Sequence, residues 1–136
     1  MLFGGSRSLR TYERAVLEGA ASVLEPDVYR VVVAQAAAVR RCQREHQDRM
    51  VLISVRDVEP LPADGDVEIL RGEVRSSNGD YRAPFSVFMT LGRLRTIEFR
   101  KSPKRFIDQP FLVSHRTPPW SRRTEMAEII DREEHF

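Results

Sequence analysis

Val67-Glu68-Ile69-Leu70-Arg71-Gly72-Glu73-Val74-Arg75-Ser76-Ser77-Asn78-Gly79-Asp80-Tyr81-Arg82-Ala83-Pro84-Phe85-Ser86-Val87-Phe88-Met89 carries an Asn-Gly pair between two stretches of alternating character. Asn78 and Gly79 both tolerate a positive φ, so they predict a tight type I′ turn between antiparallel strands. A two-residue loop sets Ser77 against Asp80, Val74 against Ala83, Gly72 against Phe85 and Leu70 against Val87. Directly opposed residues share a face, so Leu70, Val74, Tyr81, Ala83, Phe85, Val87 and Met89 collect on one side. Arg71, Glu73, Arg75, Arg82 and Ser86 collect on the other. A slip of one residue would mix the two sets, so turn chemistry and apolar pattern agree on one register.

In that register Arg75 faces Arg82, which is unfavourable unless Glu73 or Asp80 lies between them. Pro84 lacks an N–H, so its amide position belongs at an edge or a bulge. Ile69 falls opposite Phe88 and gives the polar face an apolar end that needs a cover, for which the C-terminal segment is the candidate. Leu91-Gly92-Arg93 predicts the next turn. A three-residue loop pairs Val87 with Ile97 and Phe85 with Phe99 and keeps Glu98 and Arg100 off the apolar face. A two-residue loop at Gly92-Arg93 would pair Phe88 with Ile97 instead.

Upstream, residues 1–8 read as a flexible start. Thr11 is a plausible N-cap, and Leu9, Tyr12, Val16, Ala20, Val23 and Leu24 recur at spacings of three and four, which predicts an amphipathic helix. Pro26 breaks it and suits the first turn of a second helix, with Asp27 at the favourable end of the dipole. Val28, Val32, Ala36, Val39 and Cys42 form one stripe, so the second helix is expected to run from Pro26 to His46. Its polar end, including Arg40, Arg41 and Arg44, reads as a solvated last turn. Met50 to Val55 alternates and predicts the first strand, and Glu59 to Asp66 a turn-rich connection. Beyond Arg100 come a basic loop, the apolar patches Phe106-Ile107 and Phe111-Leu112-Val113 with a short final strand, and a tail over 114–136. From Ser121 onward Met126, Ala127, Ile129 and Ile130 predict a short helix.

The expected fold is therefore α+β. Two N-terminal helices pack on an antiparallel meander of four or five strands, with a short C-terminal helix, in a single domain over 1–136. The length is enough for a core without staples. No apolar run approaches the roughly 18 residues of a membrane-spanning helix. Met1-Leu2-Phe3-Gly4-Gly5 lacks the apolar region of a signal peptide, which makes the cytoplasm the expected location. Twenty of the 22 basic residues are Arg, a bias associated with GC-rich bacterial genomes. Net charge is +2 but uneven: residues 67–123 carry 12 basic residues against 5 acids, and 124–136 carry one Arg against 5 acids. The sheet half is basic, which suits an acidic partner.

The chemistry of catalysis is not legible. His46, His115 and His135 are scattered, with no HxxxH, HxH or HExxH spacing, so neither a metal nor a cofactor is expected. Cys42, the only cysteine, sits on the apolar stripe of the predicted second helix and reads as a small buried hydrophobe. His46 follows four residues on, within reach across one helical turn. No GxSxG, P-loop or GxGxxG pattern occurs. Nucleic-acid binding is disfavoured, because Tyr81, Phe85 and Phe99 fall on the core side and Glu68, Glu73 and Glu98 interrupt the basic patch.

Two helices, one strand and a meander make a layout similar to that of small bacterial immunity proteins, which accompany secreted toxins. That resemblance implies a compact cytoplasmic protein without catalytic motifs, whose charged face plugs a toxin. Phe88-Met89-Thr90-Leu91-Gly92-Arg93-Leu94-Arg95-Thr96-Ile97 also looks like the closing hairpin of NTF2-like domains, which implies a pocket between helices and sheet and a small-molecule binder or enzyme. The pocket acids and His of that family have no counterpart here. The expected function is a non-enzymatic protein-binding module, an immunity-type inhibitor in its most specific form. Its partner presents an acidic surface to Arg71, Arg75, Arg82, Arg95 and Arg100.

Overall fold

The computed structural model describes residues 5, 6 and 8–118 of the chain. Its elements run β1 (Gly5–Ser6), α1 (Thr11–Glu18), α2 (Pro26–Ala37), β2 (Arg41–Glu45), β3 (Met50–Ser54), β4 (Asp66–Ser76), β5 (Arg82–Thr90), β6 (Arg93–Phe99) and β7 (Phe111–Arg116). The strands form one sheet in the order β1-β2-β3-β6-β5-β4-β7, and every neighbouring pair is antiparallel. The fold is α+β, as the sequence predicts. The sheet is wider than the expected four or five strands: six strands have at least five residues, and β1 adds a two-residue edge. The predicted C-terminal helix lies outside the described residues, as does the cover expected for the polar face.

The hairpin register is the predicted one, with Leu70 opposite Val87, Gly72 opposite Phe85, Val74 opposite Ala83 and Arg75 opposite Arg82. The turn reaches it by another route. Gly79 alone of the Asn-Gly pair takes a positive φ, +80°, and its N–H donates to the Ser76 carbonyl at 2.8 Å. Asn78 acts through its side chain, whose Oδ1 accepts the Asp80 N–H at 3.1 Å and the Ser76 hydroxyl at 2.9 Å. The loop therefore spans four residues rather than two, centred on the same bond, so the register does not change.

At the next turn Val87 pairs with Ile97 and Phe85 with Phe99, as expected. The loop itself is the two residues Leu91 and Gly92, both with positive φ (+51° and +78°). A bulge at Arg95, between the Phe88–Thr96 and Met89–Leu94 pairs, supplies the extra residue. A second bulge, at Ile69, corrects the expected Ile69–Phe88 pair: Glu68 faces Phe88, and Ile69 turns into the core at 5% exposure. One extra residue flips the alternation, which a uniform period of two cannot anticipate.

The second helix ends at Ala37, not His46. Residues 41–45 instead form β2, fully paired with β3 from Arg41–Ser54 to Glu45–Met50. His46, Gln47 and Asp48 make the connecting turn, with φ of +55°, +60° and +64°. Val39 and Cys42 are both buried, as the helical stripe requires, but a break after Ala38 lets a strand satisfy the same spacing. The first eight residues also do more than the flexible start expected, because Gly5 and Ser6 pair with Gln43 and Cys42.

The helices cover one sheet face. Tyr12, Val16, Leu17, Val28 and Val32 join Leu70, Val74, Phe85, Val87, Ile97 and Phe99 in one core cluster. The connection after β3 is strapped over the β5–β6 turn by a buried polar residue, Gln35 of α2. Its Nε2 donates to the carbonyls of Glu59 and Gly92, both at 2.9 Å, and its Oε1 accepts the Leu94 N–H at 2.8 Å. Gly92 has no room for a side chain, since a Cβ there would lie 1.9 Å from the Leu61 carbonyl oxygen.

Candidate interaction surface on the outer sheet face

The pairing that sends Leu70, Val74 and Phe85 inward sends Arg71, Glu73, Arg75, Arg82, Pro84 and Ser86 outward. β7 enters beside β4 and extends this face, with Arg116 directly opposite Arg71, Ser114 opposite Glu73 and Leu112 opposite Arg75. Arg100, the residue after β6, is exposed, and its N–H donates to the Pro84 carbonyl at 2.9 Å. Of the five arginines expected to bind a partner, Arg71, Arg75, Arg82 and Arg100 thus share one end of the sheet. Arg95 does not join them. It occupies the bulge near the β5–β6 turn, six strand positions or ~20 Å from the level of Arg82.

Two acids of this face, Glu68 and Glu73, are already engaged, while Glu98, opposite Ser86, accepts a hydrogen bond from the Thr96 hydroxyl at 3.4 Å. Arg71 holds Glu68 in a two-pronged contact, Nε to Oε2 at 2.6 Å and Nη2 to Oε1 at 3.1 Å, with the Glu68 side chain only 2% exposed. That hydrogen bond raises the Arg71 pKa, so the group is charged at any working pH. Glu73 reaches Arg82 at 3.4 Å and so offsets one of the two charges in the opposed Arg75–Arg82 pair. Asp80 faces Arg105 at 3.8 Å, and Arg105 lies over the Tyr81 ring at 3.9 Å from its centroid. Arg75, Arg100 and Arg116 make no ion pair among the described residues. Arg71, Arg100 and Arg116 wall a hollow of about 210 Å³, with Ser86, Ser114 and Pro84 among its other lining residues.

Arg116 and the hollow escape sequence reasoning. The alternation that carries them is present, since Phe111, Val113 and His115 turn inward while Leu112, Ser114 and Arg116 turn outward. What the sequence lacks is the partner strand, β4 rather than β6. His115 helps fix β7 there: its Nε2 lies 2.9 Å from the Val16 carbonyl of α1, and burial pushes its pKa down. A larger open hollow, about 650 Å³, sits at the far end of β2 and β3, lined by Arg40, Arg41, Arg56, Ser54 and Asp57.

The remaining candidate groups serve the fold. Arg44, expected in a solvated helix end, is buried against Glu13 with Nε to Oε2 at 2.8 Å, and their side chains are 6% and 0% exposed. Glu13 also accepts the Arg10 N–H at 2.7 Å, capping α1 one residue before the predicted Thr11. Arg10 reaches on to Asp48 in the β2–β3 turn. The Cys42 thiol is buried, donates to the Ser8 carbonyl at 3.4 Å, and is pushed up in pKa first by burial. On a strand its distance from His46 is ~13 Å, beyond contact, which corrects the helical-turn pairing. Among the described residues no three His, Cys, Asp or Glu side chains converge as metal ligands would, and no helix is long and apolar enough to cross a membrane. No protein-family model matches this chain, and no curated protein or solved structure matches it significantly.

Proposed function

We propose that this protein is a non-enzymatic binding module that holds an acidic protein surface against the outer face of its sheet. In its most specific form it is an immunity-type inhibitor that occludes a bacterial toxin in the cytoplasm. The observation that carries this is the set of three arginines, Arg75, Arg100 and Arg116, that make no ion pair among the described residues, on a sheet face where Glu68 and Glu73 are already held by Arg71 and Arg82. Uncompensated like charges repel, and an acidic partner relieves that repulsion while steering its own approach.

The NTF2-like alternative needs a cavity between helices and sheet with convergent polar groups. Tyr12, Val16, Leu17, Phe85 and Phe99 occupy that space, and both hollows described above lie outside it, which favours the binding module. Nucleic acid, the third reading, needs stacking rings on the basic face. Tyr81 is capped by Arg105, and Phe88, on the outer face two residues beyond Ser86, is a single partly buried ring rather than a stacking platform.

The test is capture of a stoichiometric partner from source cells by the tagged protein, at several salt concentrations. Capture of one acidic-surfaced protein, weakened by salt and lost when Arg75, Arg100 and Arg116 become Glu, is the expected outcome. Capture that survives the three reversals would place the interface elsewhere and overturn the proposal.

A further inference from the structure

We infer that the hollow between β4, β5 and β7 is an oxyanion subsite that receives a single carboxylate from the acidic partner. This rests on the outer face being the docking surface, and it names the spot on that face where recognition is most specific. Three separate elements supply the guanidinium groups: Arg71 from β4, Arg116 from β7 and Arg100 from the segment after β6. The register puts Arg71 directly between Ser86 and Arg116, and puts Ser114 opposite Glu73, so two hydroxyls line the same hollow.

The backbone around the hollow is held in place before any ligand arrives. Arg71 is anchored by its two-pronged contact with Glu68, and the Arg100 N–H by the Pro84 carbonyl. β7 lies so close to β4 that a Cβ on Gly72 would sit 1.9 Å from the Ser114 carbonyl oxygen. Only glycine permits that approach, which brings Ser114 and Arg116 within reach of the opposite wall. On the other flank His115 ties β7 to α1.

Charge and size then select the ligand. Glu73 also lines the hollow, but it is engaged by Arg82 at 3.4 Å as Glu68 is by Arg71, and among the described residues Arg100 and Arg116 make no ion pair. A planar carboxylate matches the guanidinium fork, and serine hydroxyls complete its acceptor sites. The volume of about 210 Å³ falls below the ~300–1,000 Å³ of sites that enclose a whole small molecule. It suits one anionic group presented by a larger body.

The experiment is a backbone and arginine-side-chain NMR titration of the full chain with an acetylated, amidated tetraglutamate peptide, and separately with inorganic phosphate. The expected result is saturable shifts confined to Arg71, Ser86, Arg100, Ser114 and Arg116 with the peptide. Arg100→Ala and Arg116→Ala should each weaken binding by roughly 3- to 10-fold, about the net worth of one solvent-exposed hydrogen bond, and Arg93→Ala should leave it unchanged. Each variant's own spectrum shows whether it is folded. Shifts centred on Arg75 and Arg82, or on Arg40, Arg41 and Arg56, would overturn the subsite, as would indifference to Arg116→Ala. Phosphate binding without peptide binding would overturn the carboxylate assignment. Partner capture that needs Arg75 but tolerates Arg116→Ala would sink the subsite alone, and capture indifferent to all three reversals would sink the docking face with it.

Discussion

Two groups of arginines in this molecule have the same chemistry and opposite fates. At the junction of α1 with the β2–β3 hairpin, Arg44 and Glu13 are 6% and 0% exposed and meet at 2.8 Å, with Arg10 and Asp48 extending the cluster. On the outer face Arg82 is 62% exposed and meets Glu73 at 3.4 Å, while Arg75, Arg100 and Arg116 meet no acid at all among the described residues. A buried pair is costly to assemble but far more costly to break, because its survivor is left charged in a medium that cannot solvate it. An exposed pair is worth ~0–1 kcal/mol. The first group is therefore tied to folding, and the second is available to a partner.

The largest effect should come from splitting the buried pair. Glu13→Gln leaves Arg44 charged and unpaired and should cost about 3–5 kcal/mol, read as a lower urea midpoint at unchanged slope. Removing both charges, Glu13→Leu with Arg44→Met, should restore most of that loss. A single change costing under ~1 kcal/mol would mean that water reaches the cluster and that it belongs with the surface pairs.

Next in size is an alkaline step at the same junction. Tyr12 is fully buried, and burial, then the Glu13 charge, pushes its hydroxyl from 10.0 up to about 12. The folded state keeps this proton where the unfolded state has released it, so stability falls as pH rises. The contribution is intact below pH 10 and is lost on the way to about 12. Two pH units correspond to ~2–3 kcal/mol. Tyr12→Phe should abolish the step in unfolding midpoints measured from pH 9 to 12, and a step that persists would have to come from other groups.

His115 predicts a smaller change with the opposite sign. Burial holds its folded pKa below the ordinary 6.5, so the unfolded state binds the proton more readily and stability declines as pH falls below 6.5. His115→Gln should flatten the unfolding midpoint between pH 7 and 5 relative to the parent. A midpoint profile unchanged by the substitution would show that the contact with Val16 carries no proton linkage.

These contrasts also explain what the sequence shows and what it hides. The β4–β6 meander is legible because its two faces differ clearly in the half nearer the Asn78-Gly79 turn, and because that pair fixes a centre that a two- or four-residue loop shares. The bulges at Ile69 and Arg95 are not legible, since each adds a residue without changing composition. Residues 38–49 mislead for another reason. Val39 and Cys42, three apart, fit a helical stripe and a broken helix equally well. The deciding partner, Glu13 for Arg44, lies 31 residues away. The candidate site divides along the same line. Arg71, Arg75 and Arg82 follow from one hairpin register, whereas Arg116 depends on β7 choosing β4. That choice is made by Gly72 and by the contact of His115 with α1, neither of which is a periodic signal.

The smallest effects on stability should fall where the effects on binding are largest. Arg75→Ala, Arg100→Ala and Arg116→Ala should each leave the unfolding free energy within about 0.5 kcal/mol of the parent, because none removes an acid's partner and the stems are at least partly solvated. Arg71→Ala is the internal control on the same face. It strips the two-pronged contact from Glu68, whose side chain is 2% exposed, so its cost should exceed that of any of the three by ~1–3 kcal/mol. Urea unfolding of the four variants decides this directly. If Arg116→Ala proved as costly as Arg71→Ala, Arg116 would be holding β7 to the sheet. It would then belong with Arg44 as part of the fold, and the face available to a partner would shrink to Arg75 and Arg100.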